Sequence, residues 1–215
     1  EISECLVGSE MCIRDSRDVT LHYRETLSRI RALEGEGDTG NADNLKGYLR
    51  NVKMNQPAFV PSVSLEGGRS DRHITGYSGF IMGDIDGLEG DALYRAMHRL
   101  RQDKYAFLVH FTLSGCGIRV LVRVDAPVTK RNFLSVWKKV NAYYADLLGV
   151  PMDLQCKNAT RMSVICHDPD VLFRPDAEAF PVSDCAEDTA GDGRRAVTVR
   201  TVSYTHLTLP TTSRV

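Results

Sequence analysis

The stretch GFIMGDIDG, Gly79–Gly87, is an apolar run that stops at two carboxylates one residue apart, with a glycine on each side. Gly79–Met82 reads as a buried strand. Side chains at i and i+2 share one face of a strand, so Asp84 and Asp86 point together while Ile85 turns into the core. Two carboxylates this close repel, and the usual remedy is a bridging divalent cation. Hard oxygen ligands with partial hydration suit Mg²⁺ or Mn²⁺. Taken alone, the motif reads more readily as a solvated strand end, because Asp and Gly are ordinary turn residues. A bare D-x-D also occurs in glycosyltransferases and other nucleotide users.

Downstream, Asp91–Gln102 carries Leu93, Ala96, Met97 and Leu100 at helical spacing with its basic residues on the other face. Ala106–Thr112 and Ile118–Val124 read as two strands joined at LSGCG. In that turn the backbone N–H groups of Ser114, Gly115 and Gly117 are candidates to face an anion, and Arg119 sits just beyond, able to reach the same anion; a plain hairpin turn with a surface arginine is an equal reading. Lys130–Leu148 is the longest helical pattern, stopped by GVP. Asp153 follows a short apolar step, where an acid alone is most simply a cap or turn residue. Arg161–Cys166 reads as a final strand. Upstream, Val19–Tyr23 alternates weakly and is expected to form a first strand, with helices over RETLSRIRALE and Asn44–Val52 and a basic glycine-rich turn at GGRSDRH. No internal repeat is visible. Strand, helix, strand pair, helix, strand predicts an α+β fold, a palm-like or RRM-like antiparallel or mixed sheet with helices packed on it.

The two ends of the chain are set apart from this pattern. ECLVGSEMCIRDS and VSYTHLTLP back-translate into the two strands of a transposon-end sequencing adapter, so residues 1–16 and 202–215 are excluded from fold reasoning. Residues 17–185 are taken as the domain and 186–201, of low hydrophobicity, as a linker. Without the ends, the balance of 27 basic and 28 acidic residues becomes 25 and 24. So neutral a chain has no global electrostatic footprint for nucleic acid, and phosphate binding must come from a local patch. The four cysteines left, Cys116, Cys156, Cys166 and Cys185, make no C-x-x-C pair. They read as buried free thiols rather than a zinc site around Cys156, Cys166 and His167, with a reducing cytoplasm as the default compartment. No apolar stretch is long enough to span a bilayer.

The order of the pieces resembles the catalytic core of the archaeo-eukaryotic primase superfamily: apolar-D-x-D, then S-G-x-G-x-basic, then an apolar step to an acid followed by an arginine-led strand. More closely, YSGFIMGDIDGL, SGCGIRVLVRVD and RMSVICHDPDVLFRP are similar to the N-terminal domain found ahead of virulence-associated protein E type helicases of bacterial mobile elements and phages, the BT4734-like or VirE N-terminal family. The resemblance covers roughly Val19 to Pro181. It implies a primase-polymerase module in which Asp84, Asp86 and Asp153 hold two Mg²⁺ or Mn²⁺ ions, and Ser114, Gly115, Gly117 and Arg119 hold a nucleoside triphosphate. A single-stranded DNA template would lie over Arg69, Arg72 and Arg161, and a helicase domain would follow downstream.

One departure is that many primases carry histidine where this chain has Arg119. An arginine keeps the phosphate donor but cannot exchange a proton at working pH. The rival expectation is a catalytically inactive DNA-binding or helicase-docking module of the same fold. On carboxylate repulsion alone, Asp84→Asn and Asp86→Asn are expected to abolish nucleotide incorporation while leaving the metal-free fold as stable or slightly more so.

Overall fold

The computed structural model describes residues 17–151 and 156–185. The described residues begin with a helical hairpin, α1 (Arg17–Glu36) and α2 (Thr39–Met54). Gly37 turns between them at φ 81°, and the Asp38 carboxylate caps α2 by accepting from the Asn41 amide at 3.2 Å. The strand expected over Val19–Tyr23 is part of α1. Its alternation would group Val19 with Leu21, yet both are exposed, at 38% and 42%. The helical series of Tyr23, Leu27, Ile30 and Leu33 packs instead against Ala42, Leu45 and Leu49.

Next come β1 (Ala58–Phe59), β2 (Val63–Leu65), a short 3₁₀ turn at Asp71–His73, β3 (Ile74–Tyr77), β4 (Phe80–Asp86), α3 (Gly90–Gln102), β5 (Ala106–Phe111), β6 (Gly117–Arg123), α4 (Phe133–Leu148), β7 (Ser163–Val164) and β8 (Leu172–Phe173). The main sheet has the order β4-β6-β5-β8, with every strand pair antiparallel. The fold is thus α+β, as its element pattern predicts.

The sheet has two buried faces. On one, Ile81, Ile85, Val109, Ile118, Val120 and Val122 meet the apolar stripes of α3 and α4. On the other, Phe80, Met82, Leu108 and Leu121 are covered by Phe59, Ile165, Val171 and Ala177. Phe59 and its neighbours reach that face through the small β1–β7 pair, in register Ala58↔Val164 and Phe59↔Ser163. The strand expected over Arg161–Cys166 is therefore only Ser163–Val164: β1 offers two residues of partner, and Arg161 lies outside the pairing. α4 ends where GVP predicts, at Gly149 with φ 69°. α4 is fastened to the α3–β5 turn by the hydroxyls of Tyr143 and Tyr144, each donating at 2.7 Å to the buried carboxylate of Asp103. Burial and that carboxylate raise both phenol pKa values. Among the described residues no helix is long and apolar enough to cross a membrane.

Candidate active site

Pairing of β4 with β6 sets Asp84 directly opposite Arg119 and Asp86 directly opposite Gly117. Both acids lie on the face that carries Phe80 and Met82, because residues two apart share a face. Asp84 is 1% exposed. Its Oδ2 accepts from Arg119 Nη2 at 3.2 Å and from the Cys156 thiol at 3.2 Å, and Arg161 Nη2 stands 3.9 Å away. Among the described residues its other oxygen, Oδ1, is buried with no hydrogen-bond partner, and so is Nε of Arg119. Buried groups are nearly always paired, so an unused acceptor and an unused donor within one ion pair mark this spot.

Asp86 closes the strand at the surface. A Cβ at position 117 would lie 2.5 Å from Asp86 Oδ1 and 2.6 Å from the Ile85 carbonyl oxygen, so only glycine admits the carboxylate over the sheet edge. Thr112 Oγ1 would lie 3.1 Å from the same Cβ, and it bonds Ser114 Oγ at 3.1 Å. Asp86, Gly117, Thr112 and Ser114 thus form one continuous rim. Within the turn, the Gly115 amide donates to the Thr112 carbonyl at 2.9 Å and the Cys116 amide to Ser114 Oγ at 3.4 Å. Of the amides expected to face an anion, that of Gly115 is therefore engaged inside the turn, where Gly115 supplies a left-handed residue at φ 73°. Helix α1 closes over it: Arg24 donates to the carbonyls of Leu113 and Thr112, both at 3.3 Å, and Arg31 reaches Cys116 Sγ at 3.2 Å.

The structure brings Asp84, Asp86, Ser114, Gly115, Gly117, Arg119 and Arg161 to one end of the sheet. Asp153 lies outside the described residues. Arg69 is exposed and contacts Met162 Sδ, next to the Met162 carbonyl that accepts from Arg119 at 3.2 Å. Arg72 lines an open cleft with Ser70 and Asp71. Sequence reasoning missed His110, Ser163 and Arg24. A lone histidine inside the apolar run AFLVHF was the available signal for the first of them. The expectation of buried thiols outside any disulfide holds for Cys156 and Cys166, whereas Cys116 and Cys185, also outside any disulfide among the described residues, are only half-buried. Cys166 is buried and donates to the Phe111 carbonyl at 3.0 Å, and burial pushes its pKa up to about 12, so it is held as a thiol. Asp168 caps the end of β5 by accepting the Phe111 amide at 2.8 Å, and burial raises its pKa.

Among the described residues no group of three or more His, Cys, Asp or Glu side chains is placed to hold a metal; Asp84 and Asp86 contribute two carboxylates. Comparisons with curated proteins and with solved structures give no match. The family model described as BT4734-like, N-terminal domain, matches residues 51–173, a span running from the end of α2 through β8 that contains the whole sheet and the Asp84–Arg119 pair. With more than half of its length covered by that match, the chain belongs to the BT4734-like N-terminal domain family.

Proposed function

We propose that this domain is a primase-polymerase-type nucleotidyltransferase of a mobile-element or phage replication protein, built on a primase-like palm. The observation that carries the reading is the pair of carboxylates on one strand face, one of them holding a buried oxygen with no partner among the described residues. That donor set suits a hard divalent cation. Asp84 and Asp86 would hold Mg²⁺ or Mn²⁺, with Asp153 as the third ligand that the resemblance implies. The bound ions would supply charge neutralisation for an attacking 3′-hydroxyl and a departing pyrophosphate.

The remaining roles fall to side chains on the rim. Arg119 orients Asp84 through Nη2 and keeps Nε for a phosphate oxygen, a charge-assisted contact that needs no proton exchange. The Ser114 hydroxyl, at the mouth of the turn, binds the triphosphate beside it. Gly117 leaves room for the Asp86 carboxylate, and Gly115 lets the turn close. Arg161 and Arg69 lie along the Met162 segment and would follow a single-stranded DNA template, with Arg72 further out. A helicase domain downstream would be the functional partner.

A second reading keeps the fold without the chemistry, as a DNA-binding or helicase-docking module. What favours it is that two guanidinium groups already approach Asp84, at 3.2 and 3.9 Å. Primer synthesis and extension on single-stranded DNA with labelled nucleotides and Mn²⁺ separate the two. Incorporation by the wild type, abolished in Asp84→Asn and in Asp86→Asn, is the expected result. DNA binding that persists with no incorporation under any metal supports the docking module.

A further inference from the structure

We propose that His110 and Ser163 form a positioning relay that fixes the guanidinium of Arg119, and that His110 is thereby a positioning residue of the candidate site. The inference rests on the nucleotidyltransferase reading for its consequence and on geometry alone for its existence. In register, Asp84 of β4 faces Arg119 of β6, and Arg119 faces His110 of β5. Three polar side chains thus cross the sheet in one row, two residues along from the apolar row of Met82, Leu121 and Leu108. His110 is fully buried.

The polarity of the relay follows from what each group can do. His110 Nδ1 lies 2.8 Å from the Phe111 carbonyl oxygen, which can only accept, so the ring proton sits on Nδ1. Nε2 is then an acceptor, and Ser163 Oγ, 3.2 Å away, gives it the hydroxyl proton. Ser163 Oγ is left with lone pairs, one of which takes the proton of Arg119 Nη1 at 3.1 Å. The Met162 carbonyl takes Nη1 as well, at 3.2 Å. With Nη1 held this way, Nη2 is aimed at Asp84 Oδ2, and Nε is the donor left over. Burial and the neighbouring guanidinium lower the imidazole pKa to about 4, which keeps the ring neutral and its acceptor open. A charged imidazole would point a second donor at Ser163 and reverse the relay.

Ser163 reaches this position through the β1–β7 pair, where it stands opposite Phe59. The two-residue strand thus has a task larger than its length suggests: it carries the hydroxyl that links β5 to β6 chemistry. A buried polar chain in which each member has one donor and one acceptor role specifies a single geometry, and a phosphate-binding guanidinium benefits from arriving preorganised.

The test uses the full chain and three variants, Ser163→Ala, His110→Phe and His110→Gln. Glutamine can place its amide oxygen where Nε2 stands and accept from Ser163; phenylalanine keeps the ring and loses the acceptor. Two measurements are made on each. Side-chain ¹⁵N spectra of Arg119 in the ligand-free protein read the relay itself: separate, slowly exchanging Nη signals are expected in the wild type and His110→Gln, and averaged signals in Ser163→Ala and His110→Phe. Mn²⁺-triphosphate steady-state kinetics read its consequence: KM for the triphosphate is expected to rise about tenfold in Ser163→Ala and His110→Phe, with kcat changed much less, and to stay within about threefold of wild type in His110→Gln. Arg119 signals unchanged in both Ser163→Ala and His110→Phe overturn the relay. A relay confirmed by the spectra in a wild type that neither binds nor incorporates triphosphate overturns the nucleotidyltransferase reading and leaves the positioning geometry standing. Spectra that change while KM does not would show that the relay exists but does not serve the phosphate site, which overturns the positioning role.

Discussion

Two rows of the same sheet face, built from the same three strands two residues apart, do opposite things. Met82, Leu121 and Leu108 lie buried under Phe59, Ile165, Val171 and Ala177, and each gains from leaving water. Asp84, Arg119 and His110 are equally shielded, at 1%, 8% and 0% exposure, yet they carry an ion pair with an unused acceptor and an unused donor. Desolvating two charges costs several kcal/mol that their attraction repays only with full hydrogen bonding, and apolar replacements of such pairs are often neutral or stabilising. A row of Leu and Met would have continued the core at less cost. Rules of packing are broken at one end of a face that obeys them at the other, and such breaks concentrate where a site is needed.

The largest effect expected from breaking this contrast is at Asp84. Carboxylate repulsion, considered alone, makes Asp84→Asn neutral or stabilising; the structure reverses that sign, because the charge it removes is the partner of a buried Arg119. Removing one member of a buried pair costs about 3–5 kcal/mol, so chemical denaturation should show a loss of that order. A variant as stable as wild type would mean that Arg119 finds other partners and that the pair does not set the geometry. On the apolar row, Leu121→Ala should cost about 3 kcal/mol through lost burial and an unfilled cavity. It should leave any Mn²⁺-dependent rise in Tm intact, which Asp84→Asn should not. Equal loss of that rise in both would erase the distinction between the rows.

The polar row also titrates. In the unfolded chain His110 takes up a proton near pH 6.5, while in the fold it stays neutral to about pH 4. Its folded pKa is depressed, so the unfolded state binds more protons between these values. Stability is full above about pH 6.5, falls as pH drops through the window, and levels below about pH 4. At about 1.4 kcal/mol per unit the loss is about 3 kcal/mol. Asp168 works the other way: burial raises its pKa, so the fold holds that proton more tightly as pH falls. The difference between wild type and His110→Phe isolates the histidine. The variant should lack the His110 slope between pH 6.5 and 4, and identical pH profiles for the two proteins would show that His110 is not held neutral.

How much of this was legible beforehand depends on which distance a feature needs. Helix α3 and strands β5 and β6 follow from spacing within a dozen residues, and so does the shared face of Asp84 and Asp86. Helix α1 was partly misread because Val19, Leu21 and Tyr23 alternate over five residues, while the helical stripe that decides the matter runs on through Leu33 to meet α2. The Asp84–Arg119–His110 row was out of reach, since it exists only once the registers of β4, β6 and β5 are fixed. Ser163 was further out of reach still. Its place depends on a two-residue pairing with a segment about a hundred residues earlier, and nothing local in RMSVIC announces it.

The smallest expected stability effect is at Asp86, and it sharpens the comparison from within the polar end. Asp86 shares a face and a charge with Asp84 but stands exposed at the strand end, where water already solvates it. An amide of the same shape at this exposed position keeps most of what a polar side chain can do there and removes the repulsion with Asp84, so Asp86→Asn should change stability by less than about 0.5 kcal/mol. Its neighbour provides the control. Gly117→Ala would set a methyl 2.5 Å from Asp86 Oδ1 and 2.6 Å from the Ile85 carbonyl oxygen. A side chain can turn away but a strand carbonyl cannot, so that change should cost about 1–3 kcal/mol. Adding Asp86→Ala to it should recover only the part due to the carboxylate. If Asp86→Asn alone costs more than about 1 kcal/mol in the metal-free protein, its carboxylate matters to the fold as much as that of Asp84, and the division between a buried carboxylate and an exposed one fails.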